Sequence, residues 1–162
     1  MPSFEEHIVQ VNRNLKFLAN INKSVPDCCD WQITVCFYTA LHLVNAHLSK
    51  FGLQYRKHSD VNHAINFATF SPGRLPEDVY IAYMSLQSLS RRSRYLVNEK
   101  DNKLREERAF LIFEKHLAKG FRHLDLLLNY FNNLYVLKIE NVTLNCTEIK
   151  NKTDFQILKF EN

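Results

Sequence analysis

Apolar residues recur at helical spacing along most of the chain, and between residues 27 and 51 they cover most of a helix surface. A helix that is apolar on several faces is typical of the centre of a bundle, where neighbours contact it from more than one side. At roughly 1.5 Å per residue it would be about 36 Å long, enough to set the length of a small bundle. Two sets of residues recur at this spacing on different faces of the helix. One set is Trp31, Val35, Tyr38, His42 and Asn45, and the other is Ile33, Phe37, Leu41 and Val44.

Both ends of this central helix carry residues that commonly begin and end helices. Asp27 follows Pro26, and its carboxylate can accept hydrogen bonds from the free amides of the first turn. Gly52 follows Phe51, where a left-handed backbone conformation costs glycine little. We therefore expect Asp27 to be the N-cap and Gly52 to end the helix.

Four further helices are predicted from the same periodicity. The first opens with a capping box in which Ser3 and Glu6 bind each other's backbone amides. Gly120 lies inside the last of them, where it costs up to about 1 kcal/mol relative to alanine, so it indicates a close helix contact or a kink. The four predicted ranges are residues 3–22, 58–70, 76–97 and 103–133.

After residue 134 the helical period gives way to alternating β-forming residues. Residues 136–144 and 155–160 predict strands, separated by a turn at residues 151–154. An isolated hairpin is marginal in water, so we expect it to dock on the bundle or on a partner. The predicted fold class is all-α: a four- to five-helix bundle over residues 1–134, with a small antiparallel β appendage over residues 135–162.

Composition and charge narrow the class of protein. The 162 residues suit one domain, and three glycines with four prolines favour long regular elements. A formal charge of +4 permits an anionic partner such as RNA, although lysines on solvated faces explain it equally well. No apolar leader and no run of about 18 apolar residues are present, so a cytoplasmic location without membrane contact is expected.

The cysteines and histidines do not predict a metal or cofactor site. Cys28, Cys29, Cys36 and Cys146 lack paired C-x-x-C spacing and are interpreted as thiols in a reducing compartment. His116 and His123 lie two turns apart but need a third ligand, for which Asp125 is poorly placed. His42 and His47 are interpreted as hydrogen-bonded core or interface residues.

The clearest candidate for chemistry is the pair Arg56 and His63. Seven residues is nearly two helical turns, so both side chains share a face if both are helical. Arginine can bind a phosphate and histidine can transfer a proton near neutral pH, which is the minimum for RNA cleavage without a metal. The alternative is structural: His58 would cap the third helix and His63 would pack or be solvated.

A second candidate lies at the end of the fourth helix, in the densest positive cluster of the chain. Arg91, Arg94 and Tyr95 share one side of that helix and suit a phosphate or carboxylate. A set of cations that stabilises a helix C-terminus explains the same residues.

Taken in order, these segments resemble the HEPN-domain family. The residues that carry the resemblance are 37–43 (FYTALHL), then Gly52, His58, the stretch 83–89 and finally 91–95 (RRSRY). One bacterial and archaeal branch of that family has a YYAAFH-like helix, a glycine, a histidine and a terminal R-x-x-A-D-Y-like segment at similar spacing. The resemblance covers about residues 27–96.

Membership would imply a helical bundle that forms a homodimer. Many HEPN domains are metal-independent ribonucleases of toxin–antitoxin and anti-phage systems, with an R-x(4–6)-H motif assembled across the dimer. The resemblance thus implies an RNA- or nucleotide-associated defence protein with Arg56 holding phosphate and His63 as acid/base. His58, Arg91, Arg94 and Tyr95 would form the anion-binding wall, and a cognate antitoxin is an expected partner.

Other HEPN domains have lost the motif and serve as binding modules. The runner-up interpretation is therefore a non-catalytic adaptor that binds a protein partner through its last two helices or the β appendage. A four-helix metal or cofactor carrier is disfavoured, since the Glu-x-x-His pairs of such bundles are missing.

Overall fold

A computed structural model describes residues 1–95 and 112–161, and these ranges hold five α-helices and a two-stranded sheet. Residues 1–95 contain α1 to α4, and residues 112–161 contain α5 followed by the sheet. The elements are α1 (Phe4–Ser24), α2 (Cys29–Ser49), α3 (His58–Ile65), α4 (Glu77–Tyr95), α5 (Glu114–Tyr135), β1 (Thr143–Leu144) and β2 (Lys159–Phe160). The prediction of a helical bundle is confirmed.

The central position of α2 is also confirmed, because α1, α4 and α5 all pack against it. Ile33, Phe37 and Val44 are completely buried, and the polar Thr39 is buried with its hydroxyl donating to the Val35 carbonyl. Only a strip that includes Trp31 and Tyr38 reaches solvent. The apolar circumference of α2 therefore organises the bundle and leaves one side of the helix open.

The C-terminal end of α2 follows the prediction. Gly52 has φ of 69°, and the Leu53 amide donates to the Leu48 carbonyl at 3.1 Å. These two features form the Schellman arrangement, in which a residue in the left-handed region closes the last turn.

The N-terminal end of α2 corrects the prediction that Asp27 is the N-cap. Asp27 lies in a turn, and the N-cap residue is Cys28, whose side chain makes no capping hydrogen bond. The Cys28 amide donates to the Val25 carbonyl, which closes the turn one residue later than the pattern indicated.

The predicted capping box of α1 is present. Ser3 Oγ accepts from the Glu6 amide at 3.1 Å, and the Glu6 carboxylate accepts from the Ser3 amide at 2.7 Å. The third helix is shorter than predicted, since α3 ends at Ile65. Asn66 ends it because its side-chain oxygen accepts from the Ala68 amide and so competes with the helical hydrogen bonds.

The start of the fifth predicted helix, residues 103–111, lies outside the described residues. Residues 112 and 113 are described and are not helical, so α5 begins at Glu114, later than predicted. At Gly120 the helix contacts α2 and α4, and a Cβ atom there would lie 3.5 Å from Ile33 Cγ1 and 3.8 Å from Leu86 Cδ2. Both are ordinary van der Waals distances, so this helix contact would also accept an alanine.

The β appendage differs from the prediction in extent and in direction. Its strands are two residues each, and they run parallel, with Thr143 opposite Lys159 and Leu144 opposite Phe160. An antiparallel hairpin needs a tight turn, whereas here the long connection of residues 145–158 crosses the bundle and returns in the same direction. Much of the segment predicted as the first strand is therefore irregular, and it starts at Val136 with φ of 51°.

This C-terminal segment, residues 136–161, docks on the bundle through buried polar and apolar contacts. The buried Asp125 carboxylate of α5 accepts hydrogen bonds from three successive backbone amides, those of residues 156, 157 and 158, at 2.7 to 2.9 Å. Asn22 of α1 binds both the amide and the carbonyl of Asn145. The apolar residues that the segment adds to the core are Val142, Leu144, Ile149, Phe155 and Leu158.

Replacing Asp125 by alanine should release the C-terminal segment, because up to three amides lose their acceptor. A buried amide without a partner costs about 1–3 kcal/mol, and relaxation towards water reduces the sum, so we expect a loss of roughly 2–4 kcal/mol in unfolding free energy. Urea denaturation measures the loss, and hydrogen exchange should report faster exchange of the amides of residues 156–158.

The matched control is Asp154→Ala in the same segment. Asp154 is exposed and accepts only from Asn151, so its loss should cost less than about 0.5 kcal/mol. Equal effects of the two substitutions would show that Asp125 does not anchor the segment.

Candidate functional site

Three sequence-distant side chains meet beside the open strip of α2. Tyr38 comes from α2, His58 from the first turn of α3, and Arg94 from the last turn of α4, with Tyr95 next to it. We call Tyr38, His58, Arg94 and Tyr95 the His58–Arg94 cluster. It combines a guanidinium, an imidazole and two phenol rings on an accessible face of the bundle.

Arg94 is the centre of this cluster. Its Nε donates to the Ser90 carbonyl at 3.3 Å, which fixes the side chain along α4. Its Cζ lies 5.0 Å from the Tyr95 ring centroid and 5.7 Å from that of Tyr38. Distances below about 6 Å allow cation–π attraction, so the two rings hold the guanidinium while leaving donors for a ligand.

His58 stands beside Arg94 and packs its ring on Phe37, with 5.6 Å between ring centroids. Partial burial lowers the pKa of His58 below its usual range, and the nearby Arg94 charge lowers it further. The imidazole is therefore neutral at pH 7 and can accept a proton.

Two hydrogen bonds hold the helices that carry the cluster. Thr34 Oγ1 of α2 and Ser93 Oγ of α4 lie 3.1 Å apart. Asn62 Nδ2 of α3 donates to Gln87 Oε1 of α4 at 2.8 Å. Since Asn62 is one turn beyond His58, this second bond fixes the face that α3 presents to α4.

The structure separates the other predicted pair. Arg56 is exposed in the bend before α3, so it is not helical, whereas His63 lies in the last turn of α3. At about 100° per residue, His63 points roughly 140° away from His58 around the helix. No polar contact in the described part of the chain joins Arg56 to His63, and Arg91 is exposed on α4.

His63 instead lines an open groove between α3 and the loop that follows it. The groove has a volume of about 510 Å³, and Tyr55, Phe70 and Pro72 form part of its wall. Of the predicted site residues, the structure thus brings together His58, Arg94 and Tyr95, while His63 lies on a different surface.

The histidines of α2 have structural roles, as predicted. His47 is buried, with Nδ1 2.7 Å from the Tyr135 hydroxyl and Nε2 3.2 Å from the Gly73 carbonyl. His42 is half-buried with its Nδ1 3.1 Å from that of His7, so one ring must donate and the other accept. Burial lowers the pKa of both His7 and His42.

The histidines of α5 have no metal-binding partners around them. Burial, aided by Lys119 and Arg122, lowers the pKa of His123 to about 4, and its Nε2 has no hydrogen-bond partner among the described residues. Within residues 1–95 and 112–161, no group of three or more histidine, cysteine or carboxylate side chains is placed to hold a metal ion.

The four thiols are free, and burial raises the pKa of three of them, Cys29, Cys36 and Cys146. Burial raises the pKa of the fully buried Cys36 and raises that of Cys146 to about 11. Nucleophilic attack needs the thiolate, so these two cysteines are structural.

Sequence reasoning missed the part that Tyr38 takes in the cluster, because it was assigned to a stripe of the central helix. The signal in the sequence was that the same stripe holds the polar residues His42 and Asn45. In the structure Tyr38 is 37% exposed.

Comparisons of this chain with models of protein families, with curated proteins and with solved structures find no match. None of the helices in the described ranges combines the length and the hydropathy that crossing a bilayer requires. The chemistry of the site is therefore inferred from the side chains themselves.

Replacing Arg94 by glutamine should raise the pKa of His58 towards its usual value, because the neighbouring positive charge is removed while burial against Phe37 remains. A titration of the imidazole followed by NMR measures this shift. Lys16→Gln on α1, where Lys16 pairs with Glu140, is the control for the loss of one charge and should leave His58 unchanged. An unchanged His58 titration in the Arg94 variant would show that the charge of Arg94 does not act on the imidazole.

Proposed function

We propose that this chain is a HEPN-like, RNA-associated protein that binds the phosphodiester backbone at the His58–Arg94 cluster. The observation that carries the proposal is that the segments of the resemblance meet in space. Tyr38 belongs to the segment FYTALHL, His58 is the isolated histidine, and Arg94 with Tyr95 ends the segment RRSRY.

The chemistry of the cluster favours a single strand of RNA. A guanidinium presents donors in a planar fork that matches phosphate oxygens. The exposed rings of Tyr38 and Tyr95 offer faces on which unpaired bases stack, which a duplex does not expose. The formal charge of +4 agrees in sign with an anionic partner.

Arg94→Gln should weaken the binding of a labelled single-stranded RNA and reduce its salt dependence. One lost phosphate contact should lower the slope of log K against log salt concentration by about 0.7. Fluorescence anisotropy at several salt concentrations measures both quantities. Lys16→Gln changes the net charge equally and should leave the slope unchanged. Equal slopes in the wild type and both variants would show that Arg94 does not contact the RNA phosphates.

A second candidate function is metal-independent cleavage of that RNA. It is favoured by the low pKa of His58, since a neutral imidazole can accept the proton of a 2′-hydroxyl. The 2′-oxygen would then attack phosphorus and the bond from phosphorus to the 5′-oxygen would break. The leaving 5′-oxygen would take a proton from water, giving a 2′,3′-cyclic phosphate and a 5′-hydroxyl, and the proton held by His58 would pass to solvent. Arg94 would stabilise the charge that builds on the phosphate oxygens.

This candidate gives the proton-transfer role to His58, whereas the sequence motif gives it to His63 with Arg56. The geometry favours His58 because it shares the cluster with an arginine. Arg56 lies outside the helix that carries His63, so the two side chains do not share a helix face.

Cleavage of labelled RNA in excess chelator should disappear in His58→Gln and persist in His63→Ala. The rate should rise with pH through the lowered pKa of His58 and level off by neutral pH, because the base must be unprotonated. Loss of activity in His63→Ala alone would favour the Arg56–His63 assignment. A wild-type protein that binds RNA without cleaving it would be a binding module.

Homodimerisation, a cognate antitoxin and a role in bacterial defence belong to the same proposal and are supported by the resemblance alone. The adaptor interpretation remains the alternative. It predicts that RNA binding is absent, and that a protein partner contacts the last two helices or the docked C-terminal segment.

A further inference from the structure

The groove at His63, with a volume of about 510 Å³, is a feature of the described surface that the His58–Arg94 cluster does not use. Leu53 and Ala64 supply apolar floor, Tyr55 and Phe70 supply aromatic rings, and His63 supplies a polar edge. Pockets with mostly apolar walls and a few polar groups are typical of ligand sites.

Phe70 is the unusual member of this groove. Its side chain is 101% exposed, so it gains nothing from the fold and is placed where a flat partner can cover it. Tyr55, a second aromatic residue that lines the groove, is half-buried and packs against the core, which gives it a fixed position. Two aromatic walls, one rigid and one open, suit a planar heterocycle.

The groove adjoins the cluster along the chain and along α3. Tyr55 lines the groove and His58 belongs to the cluster, so their Cα atoms are at most roughly 10 Å apart, about 3.3–3.6 Å per residue. His58 and His63 differ by about 7.5 Å in height along α3 at 1.5 Å per residue. One short stretch of a nucleic acid strand can reach both surfaces.

The charges around the groove and the His58–Arg94 cluster indicate which part of a nucleotide each surface binds. Arg56 and Lys57 lie between them, and Arg74 at the groove edge donates to the Thr69 carbonyl. The acidic residue of α3, Asp60, lies about 60° from His63 around the helix, so its charge opposes a phosphate inside the groove. Cations at the rim and a carboxylate near the polar edge favour a base inside and its phosphates outside.

We propose that this groove binds an unpaired base of the RNA strand whose phosphate is bound at the His58–Arg94 cluster. The inference rests on the proposed RNA binding and adds to it a second contact, which selects strands with accessible bases. His63 then acts as a hydrogen-bonding group on the edge of the base, and Phe70 stacks on its face.

The test compares binding of a labelled single-stranded oligouridylate with that of the same strand carrying abasic central residues. Stacking of one base changes affinity by about 1–3 kcal/mol, so wild-type protein should prefer the base-bearing strand by at least about fivefold. Phe70→Ala should lower this preference by the share of one stacked base, because Tyr38 and Tyr95 still stack on bases at the cluster, and should leave the affinity for the abasic strand unchanged. Phe17→Ala, an exposed phenylalanine on α1, is the matched control and should retain the preference.

His63→Ala should reduce the preference for the base-bearing strand in part, because it removes the polar contact and leaves the stacking. Arg94→Gln should weaken both strands by a similar factor, because it removes a phosphate contact. Both variants alter exposed or half-buried side chains, so folding is not expected to change.

The outcomes separate this inference from the function on which it rests. Equal wild-type affinity for both strands, or a preference that Phe70→Ala leaves undiminished, overturns the base-binding groove while Arg94-dependent binding stands. Absence of binding to either strand overturns both proposals. Displacement of the base-bearing strand by low concentrations of free uridine monophosphate would show that the groove binds a free nucleotide, and would also overturn the proposal.

Discussion

Burial of α2 is the constraint on which the rest of this structure depends. The helix is contacted by α1, α4 and α5, so its apolar side chains are removed from water on three sides. Burying one large aliphatic or aromatic side chain contributes about 1.5–3 kcal/mol, and more than ten residues of α2 are buried. What remains accessible is a narrow strip, and the candidate site forms there because α3 and the end of α4 lie beside it.

The elements that follow from local patterning were predictable, and those set by distant contacts were not. The periodicity of α1, α2 and α4 reports burial on one or more faces, and the Ser3 capping box and Gly52 are local signals. The end of α3 depends on one side chain, Asn66, that competes for backbone amides. The docking of the C-terminal segment involves Asp125, which is 31 residues away from the first amide that it binds.

The candidate site was predictable as a set of residues and not as an arrangement. His58, Arg94 and Tyr95 were predicted as site residues from their chemistry. Tyr38 was not, because it belongs to a helix whose hydrophobic pattern predicts burial in the core. The pairing of Arg56 with His63 assumed that both are helical, and α3 begins two residues after Arg56. The predicted start of this helix, residue 58, matches the structure, so Arg56 already lay outside the predicted helix and the shared face required two more helical residues than the pattern supplies.

Within the cluster, Arg94 and His58 are suited to different tasks. Arginine side chains are always charged in proteins, so the electrostatic part of the proposed anion binding would depend on Arg94. His58 is held neutral by partial burial and by Arg94 itself, which makes it a weak phosphate ligand and a competent proton acceptor. The position of Arg94 near His58 therefore makes the imidazole a weaker ligand for phosphate and a better proton acceptor. If the cluster only bound RNA, a second permanent cation at position 58 would serve better than a histidine whose charge its neighbour suppresses.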